Sequence, residues 1–277
     1  MATSTPTGNE SSPRSLDSEE KPLWVLQRQL CEQGIFTDLT HAFHPGQPHF
    51  PAFPNEERDK VFNIAAGDGF NVHRYTIVGQ WGTHVDPPSH FVDGARTLDD
   101  IPVNQMILPL VVLDISARVH DDPDSVPSLD DIARWEARHG AMPSGSFVAL
   151  RTDWGKLWPD GAAMANRDDQ GVSHSPGWSR EVLTYLVEQV GVVAVGHEQT
   201  DTDPGSATSA GDYGLELYLL QQDRWQIELM TNLDRVPEAG ALVVATWPKP
   251  MGGSGFPARV FAIHVGDPGK GRSIPRL

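Results

Sequence analysis

The chain has 277 residues, of which 39% are hydrophobic and 21% charged, and its formal net charge is −16 at pH 7. These proportions are typical of a soluble globular protein with enough core for one large α/β domain or two small ones. The acidic balance argues against nucleic acids and anionic membrane surfaces as partners, because both require a basic face.

A single cysteine, Cys31, excludes an intrachain disulfide and a cysteine cluster for zinc. Apolar runs are shorter than the roughly 18 residues that a membrane-spanning helix needs. The N-terminus lacks the basic start and the apolar stretch of a secretory signal, so we expect a cytoplasmic location.

The first elements lie before residue 80. Residues 1–20 are rich in Ser, Thr, Pro and Glu and are predicted to be a disordered tail. A short helix is predicted at residues 22–34, with a proline at its start and a glycine at its end. A loop rich in proline and aromatic residues follows. From Val72 onwards apolar and polar residues alternate, which predicts a strand that we expect to continue to Asp86.

Residues 80–91 read QWGTHVDPPSHF and carry candidate metal-binding and proton-transfer groups. If the strand continues to Asp86, its period of two places Gln80, His84 and Asp86 on one face. The two prolines that follow end the strand pairing and turn His90 back towards that face. A metal ion with a general base suits this arrangement, although an isolated His-x-Asp pair is more often a surface ion pair.

The rest of the chain alternates between apolar runs typical of strands and segments that begin at serine or end at glycine, as helices do. Strands are predicted at residues 107–115, 147–151, 192–195, 241–246 and 259–265, and helices at residues 128–140, 179–191 and 215–222. The polar loop 153–177 is long enough to carry function or to cover a site. Without a repeat or an internal linker, one domain is predicted over residues 21–277.

Gly-Thr-His-x-Asp-x-Pro-x-His-Phe at residues 82–91 resembles the signature of the cyclase family of metal-dependent hydrolases, which includes kynurenine formamidases and isatin hydrolases. Residues 36–40, 197–205, 228–234 and 255–260 resemble further blocks of that family. The resemblance implies an α/β protein with the swivelling β/β/α fold, in which helices flank a mixed sheet in a single domain.

The resemblance also implies the site. The implied metal ligands are Gln80, His84, Asp86, Glu216 and Glu228, with His90 as the catalytic base and Phe53 and Trp81 near the substrate. Gln80 and Glu216 depart from the family, which usually has histidine at both positions. Binding of one ion or two therefore stays open, and so does a role for Gln80 as a hydrogen-bond donor. No role is assigned to His174 or His197.

The donor types bear on which metal binds. With one imidazole among oxygen ligands, the site should favour manganese over zinc, because carboxylate and amide oxygens are hard donors. The function implied is metal-dependent hydrolysis of a non-peptide C–N bond in a small aromatic formamide or cyclic amide, similar to N-formylkynurenine or isatin. A biosynthetic cyclase or dehydratase and a non-catalytic, ligand-binding relative are the alternatives. A homodimer or larger homo-oligomer is expected.

Overall fold

A nine-stranded mixed sheet organises residues 21–266, which are the residues that the computed structural model describes. The strands are β1 (Gly34–Asp38), β2 (Glu57–Phe62), β3 (Val72–Thr76), β4 (His84–Asp86), β5 (Ile107–Asp114), β6 (Phe147–Arg151), β7 (Ala194–His197), β8 (Trp225–Glu228), β9 (Ala241–Thr246), β10 (Phe256–Pro257) and β11 (Arg259–Val265). The order in the sheet is β1-β11-β9-β5-β6-β7-β8-β4-β10, and β2 pairs with β3 in a separate ribbon.

Parallel pairing at the centre of the sheet explains where the helices lie. Strands β5, β6, β7 and β8 are parallel to one another, whereas the outer strands pair antiparallel. Parallel neighbours need crossover connections, which are usually helical. The helices are α1 (Pro22–Gln33), α2 (Ser116–Asp121), α3 (Leu129–His139), α4 (Gly161–Ala165), α5 (Arg180–Tyr185), α6 (Gly205–Ser209) and α7 (Gly214–Gln221).

The central strands are buried on both faces. In β5, Leu110 and Val112 pack into one hydrophobic cluster, and Val111 packs into another on the opposite face. The first cluster contains Phe147 and Trp225. Helices α3 and α5 contribute to the second, so the sheet separates two cores. This architecture confirms the predicted mixed sheet with flanking helices in a single domain.

Most of the predicted elements are present. Helix α3 begins after Ser128, whose hydroxyl accepts a hydrogen bond from the Asp131 backbone N–H, as expected of a cap. Helix α5 continues into a π turn at Leu186–Val190 and ends at Gly191, where the helix was predicted to end. Strands β2, β8 and β10 were not predicted, because β2 lacks a clear apolar pattern and the other two are short.

The continuous strand predicted from Val72 to Asp86 is wrong. The chain forms β3 in the two-stranded ribbon, leaves it after Thr76, and enters the large sheet only at His84. Gly82 turns the chain immediately before β4 with a φ of +65°, a conformation that glycine adopts without strain. His84 and Asp86 still share a strand face, but Gln80 reaches them from a turn.

The predicted tail at residues 1–20 lies outside the described residues, as do residues 267–277 of the predicted domain. Within residues 21–266, none of the helices has the length and apolar character needed to cross a membrane.

Candidate metal centre

The centre is built on the antiparallel pair β4 and β8. His84 lies opposite Glu228 in the ladder, and Asp86 lies opposite Gln226. Directly opposed residues project to the same face of a sheet. Between them Val85 opposes Ile227, and both are fully buried on the other face. The register therefore places four polar side chains together over one face and anchors their strands through the core on the other.

A hydrogen bond orients the imidazole of His84. Its Nδ1 lies 2.8 Å from the carbonyl oxygen of Gly82, which can only accept, so the proton is on Nδ1. This leaves Nε2 facing Asp86 Oδ2 at 3.3 Å and Glu228 Oε2 at 3.5 Å. Burial disfavours the charged imidazole, but the Asp86 carboxylate and the hydrogen bonds outweigh it and raise the pKa of His84. When His84 is charged, its second proton is on Nε2. A bound cation would occupy the position of that proton.

Asp86 and His90 face each other across the centre. A 3-10 turn at Pro88–His90 brings His90 Nε2 to 3.9 Å from Asp86 Oδ1, as the double proline predicted. Burial acts to raise the pKa of Asp86, but the two histidines outweigh it and lower that pKa to about 2. Burial lowers the pKa of His90, so its imidazole is neutral at pH 7.

Gln80 contacts this pair through its amide nitrogen. Its Nε2 donates to Asp86 Oδ1 at 3.2 Å and to the Ser254 carbonyl at 2.8 Å, and it lies 3.3 Å from His90 Nδ1. The absence of a side chain at Gly255 gives the amide of Gln80 room for these contacts, because a Cβ there would lie 2.0 Å from Gln80 Nε2. The Gln80 side chain is therefore placed as a donor to the candidate ligands.

Helix α7 contributes Glu216, whose Oε1 lies 3.8 Å from His90 Nε2. Burial, followed by the charge of Asp86, raises the pKa of Glu216 well above its ordinary value. Burial and the charge of Glu216 do the same for Glu228. Like charges held this closely in a buried site repel, and a bound cation relieves that repulsion.

Gln226 contacts three of the carboxylates but was not predicted from the sequence. Its Nε2 lies 3.0 Å from both Glu216 Oε1 and Glu228 Oε1 and 3.4 Å from Asp86 Oδ2. Thr202 Oγ1 holds its Oε1 at 2.6 Å. Its position two residues before Glu228 could have indicated this role, because residues i and i+2 of a strand share a face. No strand was predicted there, so the indication was not used.

His197 lies behind Glu228. It is fully buried, and its Nδ1 lies 3.3 Å from Trp178 Nε1, a group that can only donate. The proton of the neutral ring is therefore on Nε2, which faces Glu228 Oε1 at 3.3 Å. Burial lowers the pKa of His197 to about 3, so this ring stays neutral. His174 lies elsewhere, paired with Asp124 at 2.6 Å.

An aromatic cavity of about 200 Å³, here called the inner cavity, opens onto the centre. Its walls include the predicted substrate-binding candidate Phe53, with Phe50, Phe91 and Tyr213. Trp81 does not line it. This indole is fully buried, donates to Glu56 Oε2 at 3.2 Å, and packs at 4.8 Å against His49, which does line the cavity.

Two groups of three candidate ligands share Asp86. One consists of His84, Asp86 and Glu228, and the other of Asp86, His90 and Glu216. Within each group the ligand atoms lie within 4.8 Å of one another. A nitrogen lone pair and several carboxylate oxygens converge in a buried site with excess negative charge, which fits a divalent cation.

Comparison with known proteins gives consistent matches. The Cyclase family model, described as “Putative cyclase”, matches residues 37–204. An isatin hydrolase from Roseibium aggregatum is 32% identical over 216 residues, covering 76% of this chain and 81% of that protein.

Solved structures match over most of the fold. Isatin hydrolase A from Ralstonia solanacearum has a TM-score of 0.82 and 29% identity, covering 89% of this chain and 98% of that chain. An isatin hydrolase bound to the product analogue thioisatinate has a TM-score of 0.81 and 29% identity, covering 88% of this chain and 98% of that chain.

Proposed function

Because this chain belongs to the cyclase family and is a metal-dependent amide hydrolase, we propose that it cleaves the C–N bond of a small aromatic cyclic amide or formamide. One observation is the main support for the proposal: pairing of β4 with β8 brings His84, Asp86 and Glu228 together at the end of an aromatic cavity. Related isatin hydrolases add support for a cyclic amide. N-formylkynurenine-like formamides are the second substrate class.

For the metal, we propose that one ion binds to His84 Nε2, Asp86 and Glu228, with Glu216 adjacent. Using His90 as a ligand would occupy the lone pair that a general base needs, so we assign that residue to proton transfer. Gln80 orients Asp86 through its N–H group.

Gln226 is a further candidate ligand. Its amide nitrogen has two hydrogens for three surrounding carboxylates. Rotating the amide by about 180° would turn its oxygen towards the ion and let Nε2 donate to Thr202 Oγ1.

The donor set favours manganese over zinc. It contains one imidazole nitrogen, while the other candidates are oxygens, and hard oxygen donors suit manganese at higher coordination numbers. The test is to strip the protein with a chelator, reload it with each ion, and measure rate and occupancy together. We expect the highest rate per bound ion with manganese. A higher rate with zinc at equal occupancy would contradict the argument from donor type.

A divalent ion, when bound, polarises the amide carbonyl and makes a nearby water more acidic. The neutral imidazole of His90 takes the proton of the attacking water and returns it to the departing nitrogen. Aromatic walls at Phe53 and Phe91 hold the ring of the substrate and exclude bulk water. The Gly82 carbonyl keeps His84 in position by accepting a hydrogen bond from its Nδ1.

The decisive experiment is turnover of a panel containing isatin, aryl formamides and lactones by the metal-loaded protein, with the chelated protein as control. We expect metal-dependent release of amine and carboxylate from at least one amide. Metal binding without turnover of any amide would favour the non-catalytic alternative. Product formation with loss of water instead would favour a cyclase or dehydratase.

We also propose that the chain acts as a homodimer or larger homo-oligomer in the cytoplasm. Helix α1 has no buried residue, and every residue of β2 and β3 is exposed. Trp24 is 70% exposed and Phe62 is 42% exposed, and apolar surface of this kind is typical of an interface. Light scattering of the wild type and of Trp24→Glu tests this. A monomeric wild-type protein would contradict it.

A further inference from the structure

A second cavity of about 590 Å³, here called the outer cavity, adjoins the inner cavity. The two share walls at His49, Phe50, Thr200, Asp201 and Tyr213. A substrate with its amide at the metal centre can therefore extend past these residues into the outer cavity. The two cavities differ in charge.

The inner cavity is negative. Glu216 and Glu228 line it, and Asp201 stands where the two cavities meet. Asp86 lies directly behind, 3.9 Å from His90. These closely spaced carboxylates repel an anionic group of the substrate. Such a group is therefore unfavourable near the scissile bond unless it binds the metal itself.

The outer cavity contains Arg167, the one arginine among its lining residues. Within residues 21–266 the structure shows no hydrogen bond or ion pair for this guanidinium. The neighbouring Asp168 is engaged elsewhere: its Oδ1 accepts from the Gln170 and Val172 backbone N–H groups, and its Oδ2 lies 3.5 Å from His174.

The segment that carries Arg167 is well anchored. Arg167 pairs with Ser173 in an isolated bridge, and the Asn166 and His174 backbones are joined by a 3.1 Å hydrogen bond. Ser173 N donates to Ser209 Oγ at 2.8 Å, which leaves the Ser209 hydroxyl hydrogen free to donate into the outer cavity. The cavity thus offers a guanidinium on an ordered loop and a hydroxyl donor at the end of α6.

We propose that Arg167 binds a carboxylate at the far end of the substrate, so that the preferred substrates are aromatic amides with an anionic group remote from the scissile bond. This rests on the proposed amide hydrolysis at the metal centre. Repulsion at the inner end and attraction at the outer end act together, so charge alone orients the substrate with its amide towards the metal. A guanidinium binds a carboxylate through two parallel N–H groups, which adds geometric selectivity.

The experiment compares para-formamidophenylpropanoate with its methyl ester on the metal-loaded protein. The measured quantity is the ratio of kcat/KM for the anion to kcat/KM for the ester. Arg167→Gln should lower this ratio roughly 5- to 20-fold, mainly through KM, as expected for a partly exposed charge-assisted contact. Arg235→Gln is the matched control. That arginine is also exposed and lines neither the inner nor the outer cavity, so its ratio should match the wild type.

Salt provides a second readout that a structural role would not change. The wild-type ratio should fall as ionic strength rises, and the Arg167→Gln ratio should not. An unchanged ratio in Arg167→Gln, or a wild type that prefers the ester, would overturn the proposal.

Calorimetric binding of the two probes separates this proposal from the proposed function. If no amide is hydrolysed, the hydrolase assignment fails, while a loss of binding selectivity in Arg167→Gln would still support the anion site. Equal selectivity of wild type and variant would refute it.

Discussion

Neutralising one carboxylate of the metal centre should have opposite effects with and without metal. Glu216→Gln removes a buried negative charge and keeps the shape of the side chain. In the metal-free protein this removes a repulsion, and we expect the variant to be more stable than the wild type. In the metal-loaded protein the same change weakens the attraction for the cation, and we expect the variant to be less stable.

The magnitude follows from Gln226. Its Nε2 lies 3.0 Å from an oxygen of Glu216 and 3.0 Å from an oxygen of Glu228, so these oxygens are at most twice that distance apart, about 6 Å. Two unit charges at about 6 Å repel by about 3 kcal/mol at an effective dielectric constant of about 20. The charge of Asp86 adds to this repulsion.

The raised pKa of Glu216 determines how the difference in unfolding free energy between wild type and variant changes with pH. In the unfolded chain Glu216 loses its proton near its ordinary pKa of 4.5, whereas in the metal-free folded protein burial and Asp86 raise that pKa. Wild-type stability therefore falls relative to the variant as pH rises above 4.5, by at most about 1.4 kcal/mol per pH unit. Groups that titrate in both proteins largely cancel in the difference.

Urea unfolding of chelated wild type and Glu216→Gln between about pH 5.5 and pH 8 measures this difference directly. We expect it to grow with pH to about 3 kcal/mol in favour of the variant, and to change sign after manganese is added. Glu188→Gln removes an exposed carboxylate, serves as the matched control and should show a small difference. A flat difference for Glu216→Gln would refute the reasoning, because the carboxylate would then not be a buried charge.

Four further outcomes are expected. His90→Ala should keep its metal but lose roughly two to four orders of magnitude in kcat, and near-native turnover would remove the base assignment. Asp86→Ala should lose metal and activity together by elemental analysis and rate, since Asp86 belongs to both ligand groups; full metal content would place the site elsewhere. Phe53→Ala should raise KM for an aromatic amide more than it lowers kcat, because the ring lines the inner cavity; an unchanged KM would exclude contact with substrate. Leu150→Ala should cost about 2–5 kcal/mol in urea unfolding, because this side chain is fully buried; a loss below about 1 kcal/mol would mean the core repacks.

The sequence predicted the elements whose signals are local. Strand β5 is a continuous apolar run, and helix α3 has both a serine cap and a terminal glycine, so their positions follow from neighbouring residues alone. The sheet order could not be predicted in the same way. Pairing of β4 with β8 joins residues more than a hundred positions apart, and nothing local encodes that choice.

The same contrast applies to the site. His84, Asp86 and His90 lie in one short motif, and the structure brings them together around Asp86. Gln226 was missed because strand β8 has four residues and its flanks carry no strand signal. The resemblance implied a place near the substrate for Trp81, which adjoins the motif, yet its side chain is buried and hydrogen-bonds Glu56. Proximity in sequence did not predict side-chain direction where Gly82 turns the chain.

The register between β4 and β8 also makes metal uptake a measure of correct folding. A slip of one residue would carry Val85 to the site and His84 into the core, because alternate residues point to opposite faces. Only chains that have joined these distant strands in the native register can retain the ion. During refolding, metal retention should therefore appear after most of the helix signal has formed. Bound metal per chain would then give the fraction of native molecules, which circular dichroism cannot distinguish from chains paired in the wrong register.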